Sequence, residues 1–482
     1  MAYKHGIYTN EVPTSLVPMT QTDSGLIIAF GTAPVHLATD PAEVNEPVLC
    51  YTYKEAVAAL GYSDDWKNYT LCEVMKAQFA MFNMAPVVLV NVLDPAKHKE
   101  KVTKEAHDLA DGVATIAEPA LLDSIEVYAA ADAENKLVAD TDYTAAHDDE
   151  GNLLITALEG GALDNAAKAY VSYIKLNPAA VVPNDIVGGI DINTNKAEGL
   201  ELIDEIYPRF GLVPGIILAP GWSHDVNVSA VMKAKEHNIC GHFNAISICD
   251  IPTETVKSYT RASEWKNLNV GADKDCVLCW PLLKLGDAVY HLSTQLASVM
   301  NYTDSQHDDI PYYSPSNKSL QANAAVLADG KEIFLNSSQA AYLNGQGIVT
   351  TLNFIGGWKS WGNRTTAYPS NTDVKDNFIP LRRMFNWVGN TLITTFWSKI
   401  DDPMNKRLIS TIVGSANIWL NGLTAKGALL GARVEFREDD NTITGLMDGI
   451  IYFHVFMTPP SPAREIHFVQ EYDPAYISTL FE

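Results

Sequence analysis

Continuous apolar runs alternate along this chain with stretches of helical period, and their order sets the expected architecture. Ser24-Gly25-Leu26-Ile27-Ile28-Ala29-Phe30 reads as a buried strand, Lys67 to Asn83 as an amphipathic helix and Pro86 to Val92 as the next strand. The alternation resumes with a helix from Ala197 to Phe210, a strand at Gly215-Ile216-Ile217-Leu218-Ala219, a helix from Val226 to His237 and a strand at Ala245-Ile246-Ser247-Ile248-Cys249. Strands apolar on both faces belong in a mostly parallel sheet covered by helices on both sides. The expected body is therefore an α/β unit built from residues 24–96 and 195–375.

Residues 97–194 break this rhythm. Turn-rich stretches such as Asp148-Asp149-Glu150-Gly151-Asn152 flank short β-type segments, with a hairpin expected before Leu153-Leu154-Ile155-Thr156 and another strand at Tyr170-Val171-Ser172-Tyr173-Ile174. We read a β-rich inserted domain here. From residue 376 to 457 the texture changes again, to two long helices (about 378–400 and 405–425) followed by strands near 428–438 and 446–457, an α+β region.

Composition sharpens this division. A chain of 482 residues with 47% hydrophobic and 19% charged content buries a large core, and its length suits about three domains. The formal net charge of -24 opposes nucleic acid as a partner, since phosphate binding needs an excess of Lys and Arg. Between Glu105 and Asp164, within the insert, stand fifteen acidic residues and one basic residue, Lys136, so this segment carries 1 − 15 = −14. Its simplest reading is a solvated face, with a partner-binding surface as the alternative. No basic segment precedes an apolar stretch at the start of the chain, and apolar runs such as Pro86 to Val90 fall far short of the roughly 20 residues of a membrane span. A cytosolic protein with reduced thiols at Cys50, Cys72, Cys240, Cys249, Cys276 and Cys279 is expected.

Candidate chemistry is thin. His237, Cys240 and His242, with Cys249, Cys276 and Cys279 downstream, lack zinc-finger spacing, and the last three lie in apolar strand patterns. Gly356-Gly357-Trp358-Lys359-Ser360-Trp361-Gly362 lacks the spacing of a phosphate loop and reads as a structural loop. Ser223, His224 and Asp225 are adjacent, whereas a catalytic triad converges from separate elements; Ser223 or Asp225 suits a helix cap better. We expect no catalytic residue, cofactor or metal. An α/β enzyme with an inserted lid remains the competing reading, with its site at the strand end Ala219-Pro220-Gly221-Trp222.

The termini are more informative. Thr458-Pro459-Pro460-Ser461-Pro462-Ala463 is a stiff spacer, and beyond it Ile466-His467-Phe468-Val469-Gln470-Glu471-Tyr472 alternates as a half-buried strand should, Val469 excepted. Gly6-Ile7-Tyr8-Thr9-Asn10-Glu11-Val12 is strand-like too, and a polar spacer containing Pro13, Pro18 and Thr20 to Asp23 separates it from the body. Two detachable arms, residues 1–23 and 458–482, suggest a polymer in which Ile7, Tyr8, Thr9, Ile466, Phe468, Val469 and Tyr472 pair with neighbouring subunits. The alternative is that both arms fold back on their own subunit.

With these features in place, the chain resembles contractile tail sheath proteins, the outer cylinders of myophage tails, phage-tail-like bacteriocins and related injection systems. The resemblance rests on Gly211-Leu-Val-Pro214-Gly-Ile-Ile-Leu-Ala-Pro220-Gly-Trp-Ser-His224, on Cys279-Trp280-Pro281 through Ser293, and on Pro311-Tyr312-Tyr313-Ser314-Pro315-Ser316-Asn317-Lys318. It continues with Trp361-Gly362-Asn363-Arg364-Thr365, Arg382-Arg383-Met384-Phe385-Asn386-Trp387 and the tail from Arg464 to Tyr476. It spans roughly residues 1–96 and 195–482. It implies a non-enzymatic subunit that stacks in hexameric rings around an inner tube, meets baseplate and terminator proteins at the ends, and shortens to drive the tube through a target envelope. It also implies assembly in a host bacterial cytoplasm before the protein resides in a virion tail or a released tail-like particle. The family places the C-terminal region innermost and insertions outermost. On that placement, Lys406, Arg407 and Lys426 of the helix from about Asn405 to Gly427 are candidates for touching the tube.

Overall fold

The computed structural model describes residues 17–148, 150–192 and 194–481, so Ile7, Tyr8 and Thr9 lie outside the described residues. At its centre is a six-stranded sheet. The strand Ile27–Gly31 runs parallel to Ile216–Leu218 on one side and Val87–Asn91 on the other. Ile246–Asp250 and Cys276–Cys279 extend the sheet in parallel beyond Ile216–Leu218, and Pro47–Cys50 closes the opposite edge antiparallel to Val87–Asn91. Every residue of Ile27–Gly31, Val87–Asn91 and Ile246–Asp250 is buried, as an apolar run between two helical layers requires.

Local signals decide several boundaries. The expected helix from Lys67 splits into Thr70–Met75 and a wider π-helical turn, Lys76–Met81, with Phe82 N–H donating to Ala77 C=O at 3.1 Å. The expected helix from Ala197 begins instead as a short strand and a 3-10 turn, and only Ile203–Phe210 is α-helical. Gly199 explains the delay. Its φ is +59°, and a Cβ there would stand 2.4 Å from the Ile186 carbonyl oxygen. Asp225 caps Val226–Ala234 by accepting from Asn227 and Val228 N–H, while Ser223 turns inward to Asp250. Gly356 and Gly357 form only the turn of a hairpin in which Trp358–Trp361 pairs with Thr350–Asn353, so the loop expected there is shorter than its sequence suggested.

The insert folds as two three-stranded antiparallel sheets. Lys168–Leu176 lies between Lys99–Asp108 and Glu126–Tyr128, and Leu153–Ala157 lies between Val113–Ile116 and Tyr143–His147. Its own small core gathers Ile116, Val127, Leu153, Ile155, Val171 and Tyr173. Asp148 shapes the hairpin turn, its carboxylate accepting from Glu150 and Asn152 N–H. Leu176, Val181 and Ile186, which the pattern assigns to the insert, reach into the main core instead.

Candidate assembly interface

The C-terminal region stands on the helices Ile379–Phe396 and Lys406–Ala425 and a hairpin of Gly431–Glu435 with His454–Thr458. Met384, Trp387, Val388, Ala416, Leu420, Leu423 and Val434 close a core separate from that of the body. A short helix, Ile443–Met447, takes up part of the stretch read as strand from 446, because the Thr442 hydroxyl caps it by accepting from Gly445 N–H.

Polar bonds weld this region to the body and to the N-terminal spacer. Arg383 and Asp304 form a buried ion pair, with Arg383 also donating to Ser24 C=O at 3.1 Å and Ser24 Oγ donating to Asp304 at 2.8 Å. Burial raises the Asp304 carboxyl above its ordinary value, and Arg383 opposes that shift. Along the first helix, Trp387 Nε1 donates to Thr22 C=O at 2.8 Å, and Thr20 N–H donates to Thr395 Oγ1 at 3.0 Å. Val17 N–H then donates to Ser415 Oγ at 2.8 Å on the second helix. The N-terminal spacer thus enters the body from the C-terminal region, a placement that nothing in its sequence signals.

The hairpin has two outer edges. Asn417 clasps one by donating to Val434 C=O at 2.9 Å and accepting from Val434 N–H at 2.8 Å. Val434 therefore turns its peptide groups away from the partner strand. Antiparallel pairing makes Val455, directly opposite, do the same, and Met457 follows at the next outward position. The edge at Val455 and Met457 is open, and two strands alone are marginal as a sheet.

After Thr458 the chain leaves this edge as an extended arm. Ile466, Phe468, Val469 and Tyr472 are all exposed, Phe468 by 89% and Val469 by 92%. Residues 466–472 form no strand within the chain, a departure from their alternating pattern, because they lie on no edge of their own subunit. The final residues, Pro474–Phe481, turn into a 3-10 helix that the pattern does not announce. The spacer passes a cavity of about 860 Å³ lined by Tyr312, Tyr313, Lys318, Trp361, Arg364 and Pro460 to Arg464. Two motifs carrying the family resemblance thus converge where the arm departs. Arg364 lies 3.7 Å over the Phe378 ring and 4.5 Å over that of Tyr368.

The three basic candidates do not form one patch. Lys406 and Arg407 sit together, exposed, in the first turn of their helix, which Asn405 caps through Leu408 N–H. Neither makes an ion pair among the described residues. Lys426 lies at the other end of this 20-residue helix, about 30 Å away, paired with Asp308 at 3.0 Å.

The weighed chemistry disperses. Cys240 donates to Asp204 C=O at 2.9 Å, His242 lies against Trp397, and His237 approaches Asp275, so the three have different partners. Cys249, Cys276 and Cys279 are buried. At the strand end proposed for an enzyme, Gly221 abuts Thr70 and His291. Asp250 is taken up there by Ser293 and Ser223, and His291 by Glu73 at 2.7 Å. Burial disfavours the His291 charge, yet Glu73 raises the group to about 9. Each of these ionisable groups is matched to an internal partner, which suits a packing network.

No family model matches the chain. Its full length is nevertheless similar to the tail sheath protein of Burkholderia phage BcepMu, at 27% identity over 494 residues, covering 99% of this chain and 98% of that protein. A putative prophage major tail sheath protein of Pseudomonas aeruginosa (strain UCBPP-PA14) is 23% identical over 336 residues, covering 67% of this chain and 81% of that one. Among solved structures, the sheath of an extracellular contractile injection system, PVC, in its contracted state superposes with a TM-score of 0.58 at 12% identity, over 99% of both chains. The mixed α/β fold is thus similar to that of a contractile sheath protein along nearly the whole chain. In sequence and in fold together, the chain is similar, over nearly its whole length, to contractile tail sheath proteins.

Proposed function

We propose that this protein polymerises as the structural subunit of a contractile sheath, in hexameric rings stacked around an inner tube between baseplate and terminator proteins. Contraction of the sheath drives the tube through a target envelope. One observation carries the assembly reading: the N-terminal spacer and the C-terminal arm both leave from the C-terminal region, beside an open strand edge, and the C-terminal arm is apolar and exposed. An arm from one subunit can pair with Val455 and Met457 of another, with Ile466, Phe468, Val469 and Tyr472 supplying the donated strand. Ile7, Tyr8 and Thr9 play the same part at the other end. Main-chain ladders persist while the Pro-rich spacer absorbs subunit rotation, so rings remain linked as the sheath shortens.

On this reading the C-terminal region lies innermost, the acidic insert faces solvent, and assembly takes place in a host bacterial cytoplasm before the subunit joins a virion tail or a headless particle. Deleting residues 464–482 should leave a folded monomer that forms no cylinders by negative-stain microscopy. Cylinders from the truncated chain would remove the arm from the mechanism. A full-length chain that stays a small discrete oligomer under assembly conditions would revive the enzyme reading.

A further inference from the structure

Four acidic or imidazole side chains meet where the sheet, the helix Val226–Ala234 and the helix Ile379–Phe396 come together. Glu236 and His237 follow the first helix, and Asp273 and Asp275 precede the edge strand Cys276–Cys279. One ligand atom from each lies within 4.8 Å of all the others. Glu236 and Asp275 are both wholly buried. One Glu236 oxygen accepts from Ser247 Oγ, but the other, Oε2, has no hydrogen-bond partner. Asp275 Oδ1 accepts from Arg382 Nε at 2.9 Å and Asn386 Nδ2 at 2.7 Å. Its Oδ2 likewise lacks a hydrogen bond, with His237 Nε2 standing off at 3.5 Å.

Two buried carboxylate oxygens without donors, facing a third carboxylate and an imidazole, leave a large desolvation cost uncompensated. Three carboxylates against Arg382 and the neighbouring Lys274 also leave a net negative charge for a cation to offset. We propose that Glu236, His237, Asp273 and Asp275 bind a divalent transition cation of the Mn2+ to Zn2+ range. A mixed set of imidazole and carboxylate ligands suits these ions, and the imidazole disfavours Mg2+ and Ca2+. Half-exposed His237 provides the route of entry. Because Asp275 is also held by Arg382 and Asn386, the cation would fix the body's sheet edge to the first helix of the C-terminal region. The sequence hides the site: its ligands are two short pairs in separate segments, and only His237 belongs to the His and Cys cluster that draws the eye.

The full-length chain, stripped with EDTA and exchanged into chelator-free buffer, should take up about one Zn2+ or Mn2+ per subunit by elemental analysis. Its melting temperature should rise by about 2 °C or more on adding the metal alone. Glu236→Gln and His237→Ala should lose both responses, and His237→Ala, at a half-exposed position, should fold as the metal-free parent does. Uptake far below one per chain, or equal uptake by both variants, would overturn the proposal. So would a Glu236→Gln chain as stable as the metal-loaded parent, which would mean that the carboxyls share a proton instead.

Discussion

The α/β body and the C-terminal region obey opposite rules. In the body, strands such as Ile27–Gly31 are paired on both edges and buried on both faces, so the unit completes its own hydrogen bonding. Beyond residue 396, in less than a fifth of the chain, lie half of the large exposed hydrophobics among the described residues, together with an open strand edge and an unpaired arm. So dense an apolar surface marks this region as incomplete on its own, and on the proposed reading it is the region that meets other subunits. On the proposed reading the division suits contraction: a self-contained body that can rotate, and arms that stay paired with neighbours while their spacers bend.

Proline substitution should expose the contrast most sharply. Val455 and Met457 direct their N–H groups away from their own hairpin, so Val455→Pro or Met457→Pro should cost the monomer no more than about 1 kcal/mol. Cylinder formation should nevertheless be abolished, because the donated strand loses its acceptor edge. Ile217→Pro, in the strand Ile216–Leu218 that is paired on both sides, should prevent folding altogether. Circular dichroism with electron microscopy separates the outcomes, and cylinders formed by the Val455→Pro chain would mean that the arms dock elsewhere.

The junction between the two regions comes next. Removing Arg383 leaves Asp304 buried without its partner, so Arg383→Met should lower stability by about 3–5 kcal/mol. Lys426→Ala breaks an exposed pair with Asp308 and should cost less than about 1 kcal/mol. Urea titrations of the arm-deleted monomer measure both. Similar small losses would show that the two regions are joined by apolar packing alone.

The body was legible in the sequence because parallel-sheet strands are continuous apolar runs, and Ile27, Val88, Ile217 and Ile248 announce themselves without reference to anything distant. The insert hairpin at Asp148 to Asn152 was legible for a similar reason, since its turn chemistry is local. What escaped was long-range. The course of residues 17–24 along the Ile379–Phe396 helix depends on side chains more than 350 positions away, among them Thr391 and Thr395. The pairing of Lys426 with Asp308, which separates it from Lys406 and Arg407, is equally invisible to composition. In the arm, alternation led us to expect a strand at residues 466–472, whereas they run extended and unpaired, because a strand also requires an edge and none of the described residues offers them one.

The seam between insert and body yields a milder test. His36 lies edge-on to His147 of the insert, with ring centroids 5.5 Å apart. Burial, followed by His147, pushes His36 down to about 3, and burial lowers His147 as well. A histidine depressed in the folded state binds its proton more readily when unfolded. Its contribution is therefore intact above pH 6.5 and is lost as pH falls toward 3. At pH 4.5 the loss from His36 alone should be about 3 kcal/mol, and His36→Phe should flatten this acid limb in melts from pH 7 to 4. An unchanged limb would place the acid sensitivity in the carboxylates of the insert.

The smallest effect should come from Lys406 and Arg407. Cations in the first turn of a helix oppose its dipole by about 0.3–1 kcal/mol each, and no acidic neighbour among the described residues pairs with them. Reversing both to Glu should therefore leave the monomer as stable or slightly more so. If the helix faces the tube, the same change should weaken co-assembly with tube protein at low salt and matter little at high salt, because exposed charges act over a Debye length of about 10 Å at 0.1 M. Pelleting assays at two ionic strengths read the difference. Unchanged co-assembly at low salt, with the edge prolines still blocking cylinders, would confine the incompleteness of the C-terminal region to subunit contacts and leave the tube to be held by other surfaces.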